Sequence, residues 1–293
     1  MRSEVLVVLL GLGALAACAQ AEPVTDGAGG AAGSDASSGG GSGGSDGGGS
    51  GGSGNADAGD GEADASVPEP CQCGEPSCGP CPTTKNVAAG GYGINATEVT
   101  NEEYATWLLW QPNPKLQTGA CAWNTSYLPS QGWPATYPKL PVVYVDFCDA
   151  LAYCRWSGRR LCGKIGGGAN GFPDFADASK SQWYNACSVG GTRAYPYGAS
   201  YAGSSCNGAD YGKGTAVAVG EATACEGGYP SLQDMSGNVW EWEDSCSGSA
   251  GEADLCRIRG GSYSQSGAAL ACDADSSLAR NTTGKSVGFR CCE

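Results

Sequence analysis

Twelve cysteines fall between Cys121 and Cys292, and the whole chain carries seventeen. No other feature restricts the possible folds as strongly. Cysteine at that density implies an oxidising compartment and a framework of disulfides, with a loop-rich domain held by staples as well as by a core. The N-terminus agrees with export. Val5 to Leu15 form an apolar run behind Arg2, suited to a signal-peptide core and too short to span a bilayer. The run ends in Leu15-Ala16-Ala17-Cys18, which looks like a lipobox: residues 1–17 read as a lipoprotein signal peptide, with Cys18 as the lipidated first residue of the mature chain. Ala19 follows rather than Asp, so the expected location is a bacterial outer membrane or cell surface, with the lipid as the link to the membrane. Setting Cys18 aside leaves an even sixteen cysteines.

From Ala19 to Pro70 the composition changes to Gly, Ser, Ala and Asp, with nine acids and no Lys or Arg. Such a stretch buries too little apolar surface to offset chain entropy, so residues 18–70 read as the lipidated cysteine and a disordered spacer with a reach of roughly 40 Å. The spacer supplies nine of the negative charges behind the net of −14. The remainder is mildly acidic, which argues against a nucleic-acid partner.

Residues 71–86 hold a small cysteine cluster, with Cys71, Cys73, Cys78 and Cys81 in eleven residues. Its last four residues, Cys-Gly-Pro-Cys, match a thioredoxin-like redox motif, but no strand precedes them and Pro82 follows where a helix is needed. A four-thiolate zinc knot would be cramped, and thiolates oxidise outside the cell. Two local disulfides are the expectation.

Residues 87–293 read as one domain. Asn101, Glu102 and Glu103 suit a helix start, and Tyr104, Trp107 and Leu108 supply its apolar face. Leu140 to Val145 read as a strand. Asp146 is placed to cap a helix with Phe147, Leu151 and Cys154 inward and Gly158 as its stop, and Ser181 opens a short helix through Cys187. Arg257 to Tyr263 and Val287 to Cys292 read as strands.

Eight collinear segments resemble the formylglycine-generating enzyme (sulfatase-modifying factor) family. They include Thr97-Glu98-Val99-Thr100-Asn101, Leu140-Pro141-Val142-Val143, Ala152-Tyr153-Cys154, Arg159-Arg160-Leu161 and Tyr195-Pro196-Tyr197-Gly198. Asp234-Met235-Ser236-Gly237-Asn238-Val239-Trp240-Glu241-Trp242, Arg259-Gly260-Gly261-Ser262-Tyr263 and Gly288-Phe289-Arg290-Cys291 complete the match. The resemblance implies an α+β domain with much irregular structure, a complex C-type-lectin-like fold, here disulfide-stapled. It departs after Leu161, where a Gly-rich insertion spans about Gly166 to Lys180.

The family's oxidase chemistry uses two cysteines after the Gly-Gly-Ser segment to hold copper(I), a soft ion that wants soft sulfur. The corresponding positions here are Gln265 and Leu270, and a shift of register brings in only Cys272. Copper is therefore not expected. A second branch of the superfamily holds non-haem iron through histidines, and the chain has no histidine, so iron is not expected either. Calcium is: the resemblance places Asp234, Gly237, Val239 and Glu241 at family calcium positions, two carboxylates and two backbone carbonyls for a hard cation. A second set, Asn207 and Gly208 with Asp210 and Gly212, matches less closely because the intervening segment is shorter.

The resemblance also implies Cys154–Cys291 and Cys187–Cys272 disulfides. Neighbouring residues on a strand face opposite ways, so Cys292 needs a different partner, for which Cys148 is expected. Cys206–Cys225 and Cys246–Cys256 would close short loops, leaving Cys121 with Cys162.

A catalytically silent, surface-anchored monomer that binds an envelope glycan, a peptide or a protein is the first functional expectation. The groove near Gln265 to Leu270, with Tyr263, Trp183 and Tyr184 about it, is its expected site. A protein-modifying oxidoreductase with an atypical site is the rival, and a purely structural envelope protein the third possibility.

Overall fold

The computed structural model describes residues 71–293. The expectations for the signal peptide, Cys18 and the spacer lie outside the described residues.

Two four-stranded sheets and three helices frame the chain. Strands β1 (Asn86–Ala89) and β2 (Tyr92–Asn95) form a hairpin. Helix α1 runs Asn101–Leu108, α2 Phe147–Trp156, and α3 Gln182–Ser188. The remaining strands are β3 (Arg160–Leu161), β4 (Trp240–Cys246), β5 (Leu255–Arg259), β6 (Ser277–Ala279), β7 (Val287–Phe289) and β8 (Cys291–Cys292). One sheet has the order β1-β2-β8-β3 and the other β6-β5-β4-β7, with β4 and β7 parallel. Short 3-10 turns and long loops carry the rest, so the fold is α+β with much irregular structure.

Local chemistry explains the helix starts. Thr100 caps α1, accepting from the Glu103 N–H while the Glu103 carboxylate takes the Thr100 N–H, a reciprocal capping box. The cap is therefore Thr100 and not Asn101, whose amide instead donates to the Tyr137 carbonyl. Asp146 caps α2 in the same way with Asp149, and Ser181 caps α3 through the Tyr184 N–H. The apolar faces of α1 and α2 meet in an aromatic cluster. Tyr104 stacks on Tyr153 at 5.6 Å, Trp107 meets Tyr127 at 4.7 Å, and Phe289 of β7 closes on Tyr153 at 5.4 Å. Pairs at these separations add about 0.5–1.5 kcal/mol each beyond their burial.

The strand expected at Leu140 to Val145 does not form. Pro141 makes only an isolated bridge to Thr100, and Tyr144 turns to a φ of 62°, which no strand sustains. The segment still binds the core, because the Val142 N–H donates to the Val99 carbonyl and the Val99 N–H to the Phe289 carbonyl. The single strand expected from Val287 to Cys292 is split into β7 and β8, which enter different sheets on either side of Arg290.

All sixteen described cysteines are paired. The small cluster forms Cys71–Cys78 and Cys73–Cys81, and it docks on α2, where the Trp156 indole donates to the Cys78 carbonyl. Cys154–Cys291, Cys187–Cys272, Cys206–Cys225 and Cys246–Cys256 are present. Cys292 pairs with Cys162 and Cys148 with Cys121, which corrects the Cys148–Cys292 and Cys121–Cys162 pairings. The reason is register: β3 pairs with β8 so that Arg160 lies opposite Cys292, and Cys162 follows directly.

The α2 cap carries a pH dependence. Burial, the largest cause, pushes the Asp146 carboxyl up to about 6, although backbone N–H groups of Asp149 and Cys148 favour its charge. Burial likewise raises Asp149 well above the ordinary carboxylate range. An acid with a raised folded value binds its proton more tightly folded than unfolded. Its stabilising contribution is full below the unfolded value of about 4 and is lost as pH rises through about 6. Stability is expected to fall by about 2–3 kcal/mol from Asp146 between pH 4 and 7. Asp146→Asn keeps a capping side chain and should flatten that slope in denaturation curves; an unchanged slope would refute the assignment.

Candidate functional site

Gln265 and Leu270 flank a 3-10 turn, Gly267–Leu270, behind the β5 exit at Gly260 and Gly261. Both touch Gly208: an added Cβ there would meet the Leu270 Cδ1 at 2.5 Å and the Gln265 carbonyl oxygen at 2.8 Å. Leu270 is buried with Tyr195 and Ala271. The Gln265 side-chain oxygen accepts from the Ser262 N–H and hydroxyl and from Ser264. Neither position offers sulfur, and Cys272 is already bonded to Cys187. The structure thus brings the two family positions together around one glycine, but with an apolar and a self-satisfied polar side chain. Trp183 and Tyr263 are buried, and Tyr184 is half-buried against the second core cluster.

The calcium positions converge on a different arrangement. Arg290, on the residue between β7 and β8, is fully buried. It donates to both Glu241 oxygens at 2.7 Å, Nε to Oε2 and Nη2 to Oε1, and to the Asn95 and Gln233 carbonyls. The Trp183 indole adds a third hydrogen bond to Glu241 at 2.8 Å. Burial, the largest cause, opposes the Arg290 charge, but Glu241, Glu98 and Asp234 together outweigh it and hold the guanidinium above its ordinary value. Glu241 therefore has its charge and its oxygens matched within the protein.

The unmatched oxygens lie elsewhere. Asp234 Oδ2 accepts from the Gly220 N–H, while its Oδ1 is buried without a partner. Glu98 Oε1 accepts from the Asn238 amide, while its Oε2 is buried without a partner. Burial first, then the neighbouring Asp234 charge, raises Glu98 well above the carboxylate range. These two carboxylates face one another, and both oxygens suit a proton or a hard cation. Of the second set, the Asn207 carbonyl accepts from the Asn238 N–H, the Gly208 carbonyl accepts from Tyr211, and Asp210 accepts from the Tyr201 hydroxyl. Gly212 sits in left-handed backbone after the 209–211 turn. Gly237 and Val239 lie on either side of Asn238, and a Cβ at Gly237 would meet the Asn207 oxygen at 2.5 Å. Among the described residues no three acids, cysteines or histidines converge as a metal site.

Glu98 and Arg290 were missed as site residues, being read only as letters of matching segments. A buried arginine demands an acid, and that signal alone could have flagged Arg290.

The Gly-rich departure from the family has a visible role. Phe172 and Phe175 within it lie against the guanidinium groups of Arg257 and Arg259, and Arg259 forms a buried ion pair with Glu243 at 3.4 Å. The insertion covers charge that β5 would otherwise expose.

Fold and site together define a disulfide-stapled, C-type-lectin-like α+β domain with much irregular structure. Residues 51–293 match the sulfatase-modifying factor enzyme 1-like domain, and the chain belongs to that family. It is 30% identical over 164 residues to the mouse (Mus musculus) protein named inactive C-alpha-formylglycine-generating enzyme 2, a match covering 53% of this chain and 46% of that protein. The chain thus spans about half the length of that relative. Among solved structures it is similar to PvdO from Pseudomonas aeruginosa, with a TM-score of 0.45, 19% identity, and coverage of 69% of this chain and 79% of the other. Treponema denticola variable protein 1 gives 0.45, 17%, 72% and 92% in the same order.

Proposed function

We propose that this protein is a non-catalytic binding or structural module of the formylglycine-generating enzyme family, exported and tethered through lipid on Cys18. The observation that carries the proposal is that all sixteen cysteines from Cys71 onward are in disulfides, with Gln265 and Leu270 standing where the family resemblance places the two copper thiolates. Copper-dependent oxygen activation needs two free soft ligands on one pocket. The name of the mouse relative, inactive, agrees with that. The acidic spacer supports display of the domain away from an envelope, where a glycan, peptide or protein partner would meet it.

Two measurements test this. Thiol titration of the unfolded, unreduced domain should return no free sulfhydryl, and oxygen uptake with copper and a Cys-x-Pro-x-Arg peptide should not exceed the protein-free rate. Turnover above that rate would end the non-catalytic reading and favour the rival oxidoreductase.

Calcium enters this proposal through Glu98 and Asp234, with Glu241 left to Arg290. The donor chemistry offers a hard cation two carboxylate oxygens without partners among the described residues, Glu98 Oε2 and Asp234 Oδ1. Melting with calcium should exceed melting with chelator by several degrees, and the shift should vanish in Glu98→Gln. An identical melting temperature with and without chelator would leave the pair as a shared-proton contact.

A further inference from the structure

Residues 71–81 form a knob with no strand, no helix and no large apolar side chain, only Gln, Gly, Glu, Pro and Ser between its four cysteines. So short and polar a segment cannot hold its shape by burial, and Cys71–Cys78 and Cys73–Cys81 are what keep it folded. The Cys78-Gly79-Pro80-Cys81 run does not close on itself; both of its sulfurs return to the Cys71-Gln72-Cys73 arm. Folded in this way, the knob covers tryptophans of the domain. The Cys73 N–H donates to the Trp156 carbonyl at 2.7 Å, and the Trp156 indole donates to the Cys78 carbonyl at 2.7 Å. Gly79 lies against the Trp110 indole, where an added Cβ would fall 2.1 Å from Nε1. Trp156 is only 4% exposed beneath this cover.

The two knob bridges differ from the other six in access. Cys71 and Cys81 are exposed, and their partners Cys78 and Cys73 are buried just beneath them. In five of the other bridges both cysteines are buried, and in Cys246–Cys256 one is half-buried and its partner fully buried. An attacking thiolate must reach a sulfur of the bridge, so the rate of exchange follows access. With sequence separations of 7 and 8, the knob bridges also close the shortest loops among the described residues, and short loops restrict the unfolded chain least. Access and loop length both favour opening here first.

We propose that Cys71–Cys78 and Cys73–Cys81 form a thiol-exchange site for an external dithiol, opened while the other six bridges stay closed, and that opening it lifts the knob from Trp110 and Trp156. One thiolate of the dithiol attacks the exposed Cys71 sulfur, the bridge breaks, and Cys78 leaves as a thiolate. The second thiol of the same dithiol then displaces Cys71. The dithiol is oxidised to its disulfide, and its two protons and two electrons end on Cys71 and Cys78 as thiols. The same sequence begun at the exposed Cys81 releases Cys73. Without its bridges the knob has nothing to fold around, so its hydrogen bonds to Trp156 and the contact of Gly79 with Trp110 are lost. The proposal goes beyond the non-catalytic reading and does not depend on it. Oxygen uptake would end that reading and leave this site untouched, whereas the order in which thiols appear tests this site alone.

The test treats the folded full chain carrying Cys18→Ser with dithiothreitol in the absence of denaturant. Samples quenched at intervals with N-ethylmaleimide are read by intact mass and peptide mapping. A species with four labels, on Cys71, Cys73, Cys78 and Cys81, should accumulate first, with Cys246 and Cys256 labelled about tenfold more slowly or less. Acrylamide quenching of tryptophan fluorescence should rise in step with those four labels, as Trp156 and Trp110 lose their cover. First labels on any other bridge, all sixteen cysteines labelled together, or a four-label species with unchanged quenching would overturn the proposal.

Discussion

Arg290→Met should destabilise the domain by about 3–5 kcal/mol, a large share of the 5–15 kcal/mol typical of a folded protein. Arg290 neutralises Glu241 through two 2.7 Å hydrogen bonds and ties down the Asn95 and Gln233 carbonyls in a site with no exposure. Without the guanidinium, Glu241 is a buried charge whose only remaining side-chain donor is Trp183, and Glu98 and Asp234 lose their nearby cation. The cost comes from the stranded acid more than from the lost attraction, so Arg290→Met combined with Glu241→Met should regain most of the loss. Glu241→Gln should cost less than Arg290→Met, since Glu98 and Asp234 still balance the arginine. Denaturant unfolding with disulfides intact measures all three. A single-variant loss under about 1 kcal/mol, or a double variant no better than the single, would show that the pair is not the electrostatic centre of the fold.

The second large effect concerns β8, a strand of two residues that are both cysteines. Cys154–Cys291 and Cys162–Cys292 tie it to α2 and to the end of β3, with sequence separations of 137 and 130. By contrast Cys246–Cys256 bridges β4 and β5 with a separation of 10. Cross-linking stabilises chiefly by restricting the unfolded chain, more for longer loops, within a range of about 2–5 kcal/mol. Opening both β8 bridges, with all four cysteines changed to Ser, should therefore cost more than about 5 kcal/mol; Cys162→Ser with Cys292→Ser alone leaves Cys154–Cys291 holding the chain, frees only about nine residues, and should cost about 2–3 kcal/mol, as should Cys246→Ser with Cys256→Ser. A loss for both β8 bridges together no larger than that at Cys246–Cys256 would mean that local packing rather than loop entropy sets the order.

Much of this was legible in the chain. Caps at Asp146 and Ser181 are local hydrogen bonds among residues three apart, so composition and spacing reveal them. Opposite facing of Cys291 and Cys292 follows from strand geometry and is what the two disulfides show. The partner of Cys292 was not legible, because it depends on β3 lying antiparallel to β8 across 130 residues. The same holds for the false strand at Leu140 to Val145. Its apolar pattern reflects real burial of Val142 and Val145, but no neighbouring strand is present to pair with it.

At the candidate site the division is sharper. Amino-acid identity alone settles that residues 265 and 270 carry no sulfur, and that no histidine is available anywhere in the chain. Metal preference is a property of donor atoms, so that much needs no coordinates. That Glu241 is paired with Arg290 was decided only by tertiary structure. Arg290 lies 49 residues away and reaches Glu241 because β4 and β7 pair in parallel immediately before it. Local interactions are written in short spacings, whereas charge balance in a buried site depends on which distant segments the fold brings into contact.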